Sequence, residues 1–348
     1  MSAALLITFN VLVSAALSFV GAAALTGVGA RLLRLRDGRA RLAIALLPFA
    51  KVAVELARGV PSNAFFWLKL HEGARQELGG FRVGLGTDRL SPVLQIALSA
   101  QWRGAVHPQS GADLIASLLS RRVGPWAPGA IAAVLVVVGA ALAAAFVVRL
   151  ARSRRAARLE SAEVIEVRDV GLRRRATVVA SHEWHGVPFA AGVLRPIVCL
   201  PADVASQLSS EEREAVVAHE LGHVRGLHAI VVGVVGVLER VLWFVPGAGW
   251  VAREARAQCE VAADDSAVRS GVDRAVLASA LVRVAELSQA RGPAPLLALF
   301  ERRSVLSRRV SRLLEGPVPR PWHAIFFRLL GAAVLTVTVL RATILGNP

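Results

Sequence analysis

Tyrosine is absent from the chain, and cysteine occurs only twice among its 348 residues, at Cys199 and Cys259. No tyrosine hydroxyl is therefore available to any site, and two cysteines are too few for the disulfide framework of a small secreted domain. Charged residues are also scarce, at 19%, whereas 55% of the residues are hydrophobic and the mean hydropathy is +0.53. This composition lies outside the usual range of soluble domains and predicts a membrane protein.

Four apolar stretches predict the membrane-spanning part of the chain. They are residues 3–30, 42–60, 126–148 and a last stretch within 321–348. The first and third contain no charged residue and are long enough to cross a hydrocarbon core of about 30 Å. The second contains Lys51 and Glu55, which are four residues apart and could form an ion pair inside a helix bundle. A surface helix is the alternative for this second stretch.

Arginine supplies nearly all of the formal net charge of +16, and it is concentrated beside the apolar stretches. Clusters of arginine follow the first and third stretches and precede the last, so all three are cytoplasmic if the N-terminus is outside. We therefore expect an extracytoplasmic loop at residues 61–125 and a cytoplasmic region at residues 149–320, in a multi-pass protein of the bacterial inner membrane. Since lipid and topology account for the basic residues and few aromatics accompany them, no direct nucleic-acid binding is expected.

The sequence His219-Glu220-Leu221-Gly222-His223 matches the H-E-x-x-H pattern of zinc hydrolases. Histidines at i and i+4 lie on the same face of an α-helix, so both imidazoles can bind one metal ion while Glu220 flanks it as a base. The pattern is short enough to occur by chance, and its sequence context therefore has to support it.

A capping box predicts that this pentapeptide lies inside a helix. Ser209 is the N-cap, and Glu212, three residues later, completes the S/T-x-x-E pattern. No proline interrupts residues 211–227, and apolar residues recur there at helical spacing. Both histidines are thus expected in the middle of a helix.

A zinc site with two histidines needs a third protein ligand, which is often a carboxylate from a later helix. Glu260 is the best candidate, because it lies in an alanine-rich stretch without proline at residues 252–270. Asp264 follows on the same face, where it can accept the free N–H of His219 and fix the orientation of that ring. The alternative is that both acids are solvated surface charges, as is expected for Asp265.

Segments on both sides of the H-E-x-x-H helix resemble the BlaR/MecR-type antirepressor metallopeptidases, which are membrane sensors of β-lactam signalling. The resemblance is carried by PFAAGVLRPIVCLP at residues 188–201, by WFVP at residues 243–246 and by CEVAADD at residues 259–265. It covers about residues 160–315.

This resemblance implies a mainly α-helical, multi-span membrane protein with a cytoplasmic zinc metallopeptidase domain of the gluzincin type and of α+β structure. It also implies one zinc ion per chain, bound by His219, His223 and Glu260. Glu220 would be the catalytic base, and Asp264 would accept the ring N–H of His219, on the nitrogen that does not bind the zinc.

Two features depart from this family. The residues after the second histidine are Arg225-Gly226-Leu227-His228 where an acid is usual, which is closer to the HtpX-like and CAAX-prenyl-protease metallopeptidases. The chain also ends shortly after its last apolar stretch, so we expect no C-terminal penicillin-binding sensor domain and no antibiotic sensing. Because the two groups of metallopeptidases share the zinc site, the first departure affects the assignment to a family and not the expected chemistry.

A small sheet is expected before the metal helix. Residues 164–167 and 176–180 are predicted strands, and residues 192–200 are predicted as the return of a hairpin. An extended peptide can add to the edge of such a sheet, which would bring its scissile bond to the zinc. The apolar helix expected at residues 229–244 would be buried or lie at the membrane interface.

Metal-assisted hydrolysis is the mechanism that these residues predict. Zinc would lower the pKa of its bound water toward about 7 and polarise the peptide carbonyl, while Glu220 moves the proton to the leaving amine. A further group usually stabilises the oxyanion. The candidates are His228, which we favour, together with His185 and Arg225.

The function expected from these features is that of a membrane-integrated zinc endopeptidase. Its substrate would be a cytoplasmic or membrane protein, either a transcriptional repressor in signalling or, alternatively, damaged proteins in quality control. A non-catalytic membrane receptor that binds a partner through residues 61–125 is a further alternative. The intact Glu220 disfavours it, because a scaffold has no need of that carboxylate.

Overall fold

A computed structural model gives the protein as mainly helical, with one small sheet. The described residues are 3–32, 37–58, 111–156, 162–171, 174–184, 186–289 and 296–315. The loop expected at residues 61–125 is therefore described only from residue 111 onward. The apolar stretch within 321–348 lies outside the described residues.

Among the described residues, four helices precede the sheet: α1 (Ala3–Leu32), α2 (Gly38–Arg58), α3 (Gly111–Arg122) and α4 (Ala127–Ala156). Two of these are long and apolar enough to cross a membrane by themselves, over Val11–Leu32 in α1 and Ala127–Ala151 in α4. The helix α2 coincides with most of the second predicted span, but its crossing of the membrane stays a prediction. Lys51 of α2 is buried. The side chain of Glu55, its expected partner, lies outside the described part of the structure.

The four strands of the sheet are β1 (Glu163–Gly171), β2 (Arg174–Ser181), β3 (Phe189–Ala191) and β4 (Ile197–Pro201). Their order is β1-β2-β4-β3, which makes β3 an edge strand. Antiparallel pairing joins β1 to β2 and β3 to β4, whereas β2 and β4 run parallel.

The structure confirms the first two predicted strands and extends both of them. Pairing continues through charged residues such as Arg168 and Asp169, which an apolar alternation does not reveal. The hairpin return predicted at residues 192–200 is shorter than expected, because Gly192 begins a turn at φ +85° and pairing with β3 starts at Ile197. The strand β3 has three residues, too few to show a periodic pattern.

Six further helices follow in the described residues: α5 (Ala202–Ala205), α6 (Ser210–Arg225), α7 (His228–Val241), α8 (Ala248–Arg269), α9 (Arg274–Gln289) and α10 (Leu296–Leu314). The axes of α6 and α7 meet at 59°. If these two helices together formed one bent span, they would be a third membrane crossing among the described residues. The helix α7 corresponds to the apolar helix predicted at residues 229–244.

One hydrophobic core lies between the sheet, α6, α9 and α10. Its buried side chains include Val178, Leu200, Leu221, Leu277 and Leu313. Burying a side chain of this size contributes about 1.5–3 kcal/mol relative to leaving it exposed. This core fixes the sheet and α10 to α6.

A second hydrophobic core joins the N-terminal helices to the rest of the chain. It contains Phe19 of α1, Phe49 of α2, Val235 of α7, and Ala255 and Cys259 of α8. The rings of Phe19 and Phe49 meet edge to face with their centroids 5.1 Å apart, a favoured aromatic geometry. The helices α6 and α8 meet at the junction of the two cores, and the residues of the predicted site lie there.

Candidate metal centre

The N-terminus of α6 is fixed by the predicted capping box. The Glu212 backbone N–H donates to the Ser209 hydroxyl, and the Ser209 backbone N–H donates to the Glu212 carboxylate, both at 3.1 Å. The Ser279 hydroxyl of α9 also donates to Glu212, at 2.7 Å. The bonds from Ser279 and Ser209 hold the pKa of Glu212 below its ordinary value. The predicted helix start is confirmed, and the two histidines lie well inside the helix.

His219, His223 and Glu260 bring three ligand atoms together between α6 and α8. The Nε2 atoms of the two histidines are 3.2 Å apart, and oxygens of Glu260 lie 3.6 Å from each of them. A tetrahedral zinc ion with bonds of about 2.0–2.1 Å places its ligand atoms roughly 3.3 Å apart. The spacing, and the donor set of two imidazoles and one carboxylate, therefore fit a zinc ion.

Gly222 allows α8 to approach α6 closely enough for Glu260 to reach the histidines. A Cβ atom at this position would lie 2.8 Å from the backbone oxygen and 2.9 Å from the Cα of Ala263. Real Cβ atoms essentially never come within 3.0 Å of other heavy atoms, and these neighbours are backbone atoms that cannot rotate away. One of the two variable positions of the H-E-x-x-H pattern is thus glycine for a packing reason.

Glu220 lies on α6 beside the two histidines and is buried. The edge strand β3 packs against α6 at this point, and the backbone N–H of Ala190 donates a hydrogen bond to the Glu220 carboxylate. Burial raises the pKa of Glu220 to about 7, against the opposing effect of the charge on His219. A carboxyl group with such a pKa can both accept and release a proton near neutral pH.

The Nδ1 atom of His219 lies 3.0 Å from Oδ1 of Asp264, which is 1% exposed. This is the pair of atoms that the sequence predicts, and they lie in close polar contact, although Nδ1 has no partner of hydrogen-bond geometry among the described residues. Burial opposes the charged form of His219, but Asp264 and Glu260 outweigh that effect and raise the pKa of the imidazole to about 9. In the neutral imidazole, a proton on Nδ1 leaves the lone pair of Nε2 for a metal ion, so metal binding has to displace the second proton of the imidazolium.

Arg309 of α10 is a member of the site that the sequence does not reveal. Its guanidinium donates to both oxygens of Asp264, at 2.8 and 2.7 Å, and to Glu260 at 3.0 Å. In the sequence it is one of several arginines before the last apolar stretch, where membrane topology already explains its charge. Only the fold brings it to Glu260, from which it is separated by 49 residues.

His228 contacts the ring nitrogen of His223 that faces away from the other ligands. The two Nδ1 atoms are 3.0 Å apart, and His228 is buried. Between them, Leu227 adopts the left-handed conformation with φ 53°, which is unfavourable by roughly 1–2 kcal/mol for a residue other than glycine. This turn directs His228 back to His223. The contact makes His228 a hydrogen-bond partner of a ligand, and its expected part in stabilising an oxyanion stays a prediction.

Two other residues from the sequence analysis have different outcomes. His185, a further candidate for the oxyanion, lies outside the described residues. Asp265, expected as a solvated surface charge, is mostly buried and accepts hydrogen bonds from Arg312 at 2.6 Å and from the backbone N–H of Gly38 at 2.8 Å. The sequence prediction for Asp265 is wrong because α2 and α10 cover this side of α8.

Comparison with known proteins gives a family match over the region that contains the candidate site. Residues 118–313, more than half of the chain, match the family model described as BlaR1 peptidase M56. The regulatory protein BlaR1 of Bacillus licheniformis is 30% identical over 83 residues, which make up 24% of this chain and 14% of that relative. The chain therefore matches only a small part of that relative's length. No solved structure matches. The resemblance found in the sequence is thus confirmed, and the chain belongs to the BlaR1 peptidase M56 family.

Proposed function

We propose that the protein is a membrane-integrated, zinc-dependent endopeptidase that cleaves a cytoplasmic or membrane protein. The observation that supports this most directly is the group formed by His219, His223 and Glu260, whose spacing fits one zinc ion, with Glu220 beside it. Membership of a peptidase family supports the same reaction. We propose a gluzincin-type site, in which the third ligand is a glutamate from a separate helix.

The roles of the side chains follow from their positions. Zinc held by these three residues would supply a Lewis acid for the peptide carbonyl and lower the pKa of a bound water to about 7. Glu220 would take the proton of the attacking water at its carboxylate and pass it to the leaving amine. Asp264 and His228 would hold the rings of the two histidines through their Nδ1 atoms. We keep His228 as the candidate for stabilising the oxyanion.

The edge strand β3 is our candidate for substrate binding. It is the outer strand of the sheet, packs against α6, and is joined to Glu220 through the backbone N–H of Ala190. An extended peptide that added to β3 would run along α6 with its scissile bond close to Glu220.

A proline in β3 tests this substrate site. Ala190→Pro removes the backbone N–H that donates to Glu220 and prevents an added strand from pairing at this position. Through either loss the variant should reduce peptide cleavage while zinc stays bound. Leu194→Ala is the control, because Leu194 is 85% exposed in the turn between β3 and β4. Unchanged cleavage by the Ala190→Pro variant would exclude β3 as the substrate site.

We propose that the catalytic region is cytoplasmic in a four-span protein. The apolar surfaces of α1 and α4 include exposed side chains such as Val28, Val134 and Val137, which suit contact with lipid. The arginine clusters support the orientation. The proposed division is two spans within residues 1–60, an extracytoplasmic loop at 61–125, a third span at 126–148, the metallopeptidase region at 149–320 and a fourth span within 321–348.

Regulated signalling is the role that we favour for the cleavage. The matched relative from Bacillus licheniformis is a regulatory protein, and this supports a transcriptional repressor as the substrate of this chain. A small winged-helix repressor encoded beside this protein and cut in its presence would support the proposal.

Replacement of the proposed base tests the reaction itself. In Glu220→Gln, peptide cleavage should fall by about 10²-fold or more, the usual contribution of a general base, while about one zinc ion per chain is retained. Glu211→Gln is the matched control, since Glu211 is exposed on the first turn of the same helix. The assay uses the full chain in detergent, a mixture of fluorescence-quenched peptides and metal analysis. Cleavage by Glu220→Gln at the wild-type rate would refute the mechanism, whereas absence of cleavage by the wild-type protein would favour the receptor alternative.

A further inference from the structure

The Arg309 side chain contacts the third proposed ligand, Glu260, and the acid beside the first, Asp264, and its Nη2 atom also lies 3.4 Å from Nε2 of His219. Its Nε and Nη2 atoms donate to the two oxygens of Asp264, at 2.8 and 2.7 Å, as a two-pronged contact. Its Nη1 atom donates to Oε2 of Glu260 at 3.0 Å. The Arg309 side chain is 11% exposed. A planar guanidinium buried in this way fixes the direction of each acceptor, which an ammonium group cannot do.

The contact with Asp264 bears on His219. Both oxygens of Asp264 are held by Arg309, and Oδ1 also lies 3.0 Å from Nδ1 of His219. With its oxygens fixed, the carboxylate cannot rotate away from the imidazole. Asp264 is 1% exposed, so without Arg309 its charge would have no solvent to replace the lost partner. The orientation of His219 therefore depends on Arg309.

The contact with Glu260 restricts the third ligand directly. The Glu260 side chain is 36% exposed, and its two oxygens face the two histidine Nε2 atoms at 3.6 Å. A glutamate this accessible could turn toward solvent, and a single donor at Oε2 limits that freedom. Arg309 thus restrains both the proposed ligand Glu260 and Asp264, the acid beside the proposed ligand His219.

We infer that Arg309 is a positioning residue of the metal centre, which holds Asp264 and Glu260 so that zinc binds tightly only when α10 is docked on α8. This inference depends on the proposed roles of His219 and Glu260 as ligands. The proposed role of Arg309 extends the site to α10, because Arg309 lies 45 residues after Asp264 in the sequence.

A neighbouring ion pair supplies a matched control. Arg312, one turn further along α10, donates to Asp265 at 2.6 Å, next to Asp264 in the sequence. Asp265 in turn accepts from the backbone N–H of Gly38 and faces α2, away from the ligands. The two arginines therefore attach the same pair of helices, but only Arg309 contacts the proposed metal site.

The experiment compares zinc binding by full-length variants in detergent. Apo protein is titrated with zinc against a chromophoric chelator, and the visible spectrum of the cobalt(II) form reports the geometry of the ligands. We expect Arg309→Gln to weaken zinc binding by about 10–100-fold, the usual effect of removing a group behind a ligand, and to alter the cobalt spectrum. Arg312→Gln should leave both close to wild type, and Arg309→Lys should be intermediate. In an Asp264→Asn background, Arg309→Gln should have less effect than it has alone.

Three results would overturn this inference. Zinc binding by Arg309→Gln that equals or exceeds the wild type would mean that the guanidinium has no positioning role or competes with the metal. An equal loss in Arg312→Gln would mean that both arginines only dock α10. Full additivity with Asp264→Asn would mean that Arg309 does not act through that acid. If the wild-type protein itself bound no zinc, the proposed function would fail, which is a distinguishable result.

Discussion

The close packing at Gly222 predicts that Gly222→Ala weakens zinc binding in addition to any cost to the fold. The added Cβ would lie 2.8 and 2.9 Å from backbone atoms of Ala263, and ordinary contact begins at about 3.4 Å. The helices α6 and α8 must then separate by roughly 0.5 Å, since neither set of atoms can rotate away. Glu260 moves with α8, whereas His219 and His223 remain on α6.

The size of the two effects follows from this geometry. Overpacking a core position costs about 1–3 kcal/mol, and the higher helix propensity of alanine returns up to about 1 kcal/mol. The free energy of unfolding should therefore fall by about 0–3 kcal/mol. Metal–ligand distances tolerate about 0.2 Å, which is less than the expected separation of the helices. We expect the zinc affinity to fall by at least tenfold, equivalent to about 1.4 kcal/mol.

The measurement combines thermal unfolding of the apo protein with zinc titration against a chelator. Gly233→Ala in α7 is the control, because a Cβ atom there would meet no heavy atom within 4 Å. That variant should be as stable as the wild type or up to about 1 kcal/mol more stable, with unchanged zinc affinity. If Gly222→Ala bound zinc like the wild type, the close approach of α8 would not be what sets the position of Glu260.

Three further predictions concern the helix start, the thiols and the metal. Ser209→Ala should lower the free energy of unfolding by about 1 kcal/mol, as measured by denaturant titration. Because the pKa of Glu212 is lowered in the folded state, the stabilising contribution of its carboxylate is present above about pH 4.5. That contribution is lost as the pH falls through the folded-state pKa. Burial raises the thiol pKa of Cys199 to about 11 and that of Cys259 to about 12. Iodoacetamide at about pH 8 should therefore label neither thiol until the protein unfolds. Rapid labelling of the native protein would contradict their burial. Removal of zinc should lower the Tm reversibly, since zinc at 100 times its Kd stabilises the folded state by about 2.7 kcal/mol, and a Tm indifferent to chelator and to added zinc would exclude a tightly bound metal.

The local features of the site could be predicted from the sequence because their causes are local. The capping box at Ser209 and Glu212 depends on residues three positions apart, and it is present as predicted. The spacing of His219 and His223 places both rings on one helix face by helix geometry alone. Glu260 and Asp264 could be selected because four residues also separate them on one later helix, and the structure brings both to His219.

Contacts between distant elements could not be predicted in the same way. Arg309 reaches Asp264 only after α10 has packed on the first core, and its charge has an equally good explanation in membrane topology. Asp265 is covered because α2 approaches α8 so closely that a Cβ on Gly38 would lie 2.6 Å from the backbone nitrogen of Ala262. A single sequence contains no spacing rule for either contact, since each depends on how two separately formed helices dock.

The second hydrophobic core has a consequence for attempts to obtain a water-soluble catalytic fragment. The family match begins at residue 118 and so leaves out α1 and α2. Phe19, Phe49 and Val52 of those helices form one core with Ala255 and Cys259 of α8, and Cys259 precedes the proposed zinc ligand Glu260 in the sequence. A fragment cut at the family boundary would expose this part of α8 to water and release one side of the helix that holds Glu260. We therefore expect the region of the family match and the N-terminal helices to fold as one unit, and neither to be separable with its structure intact.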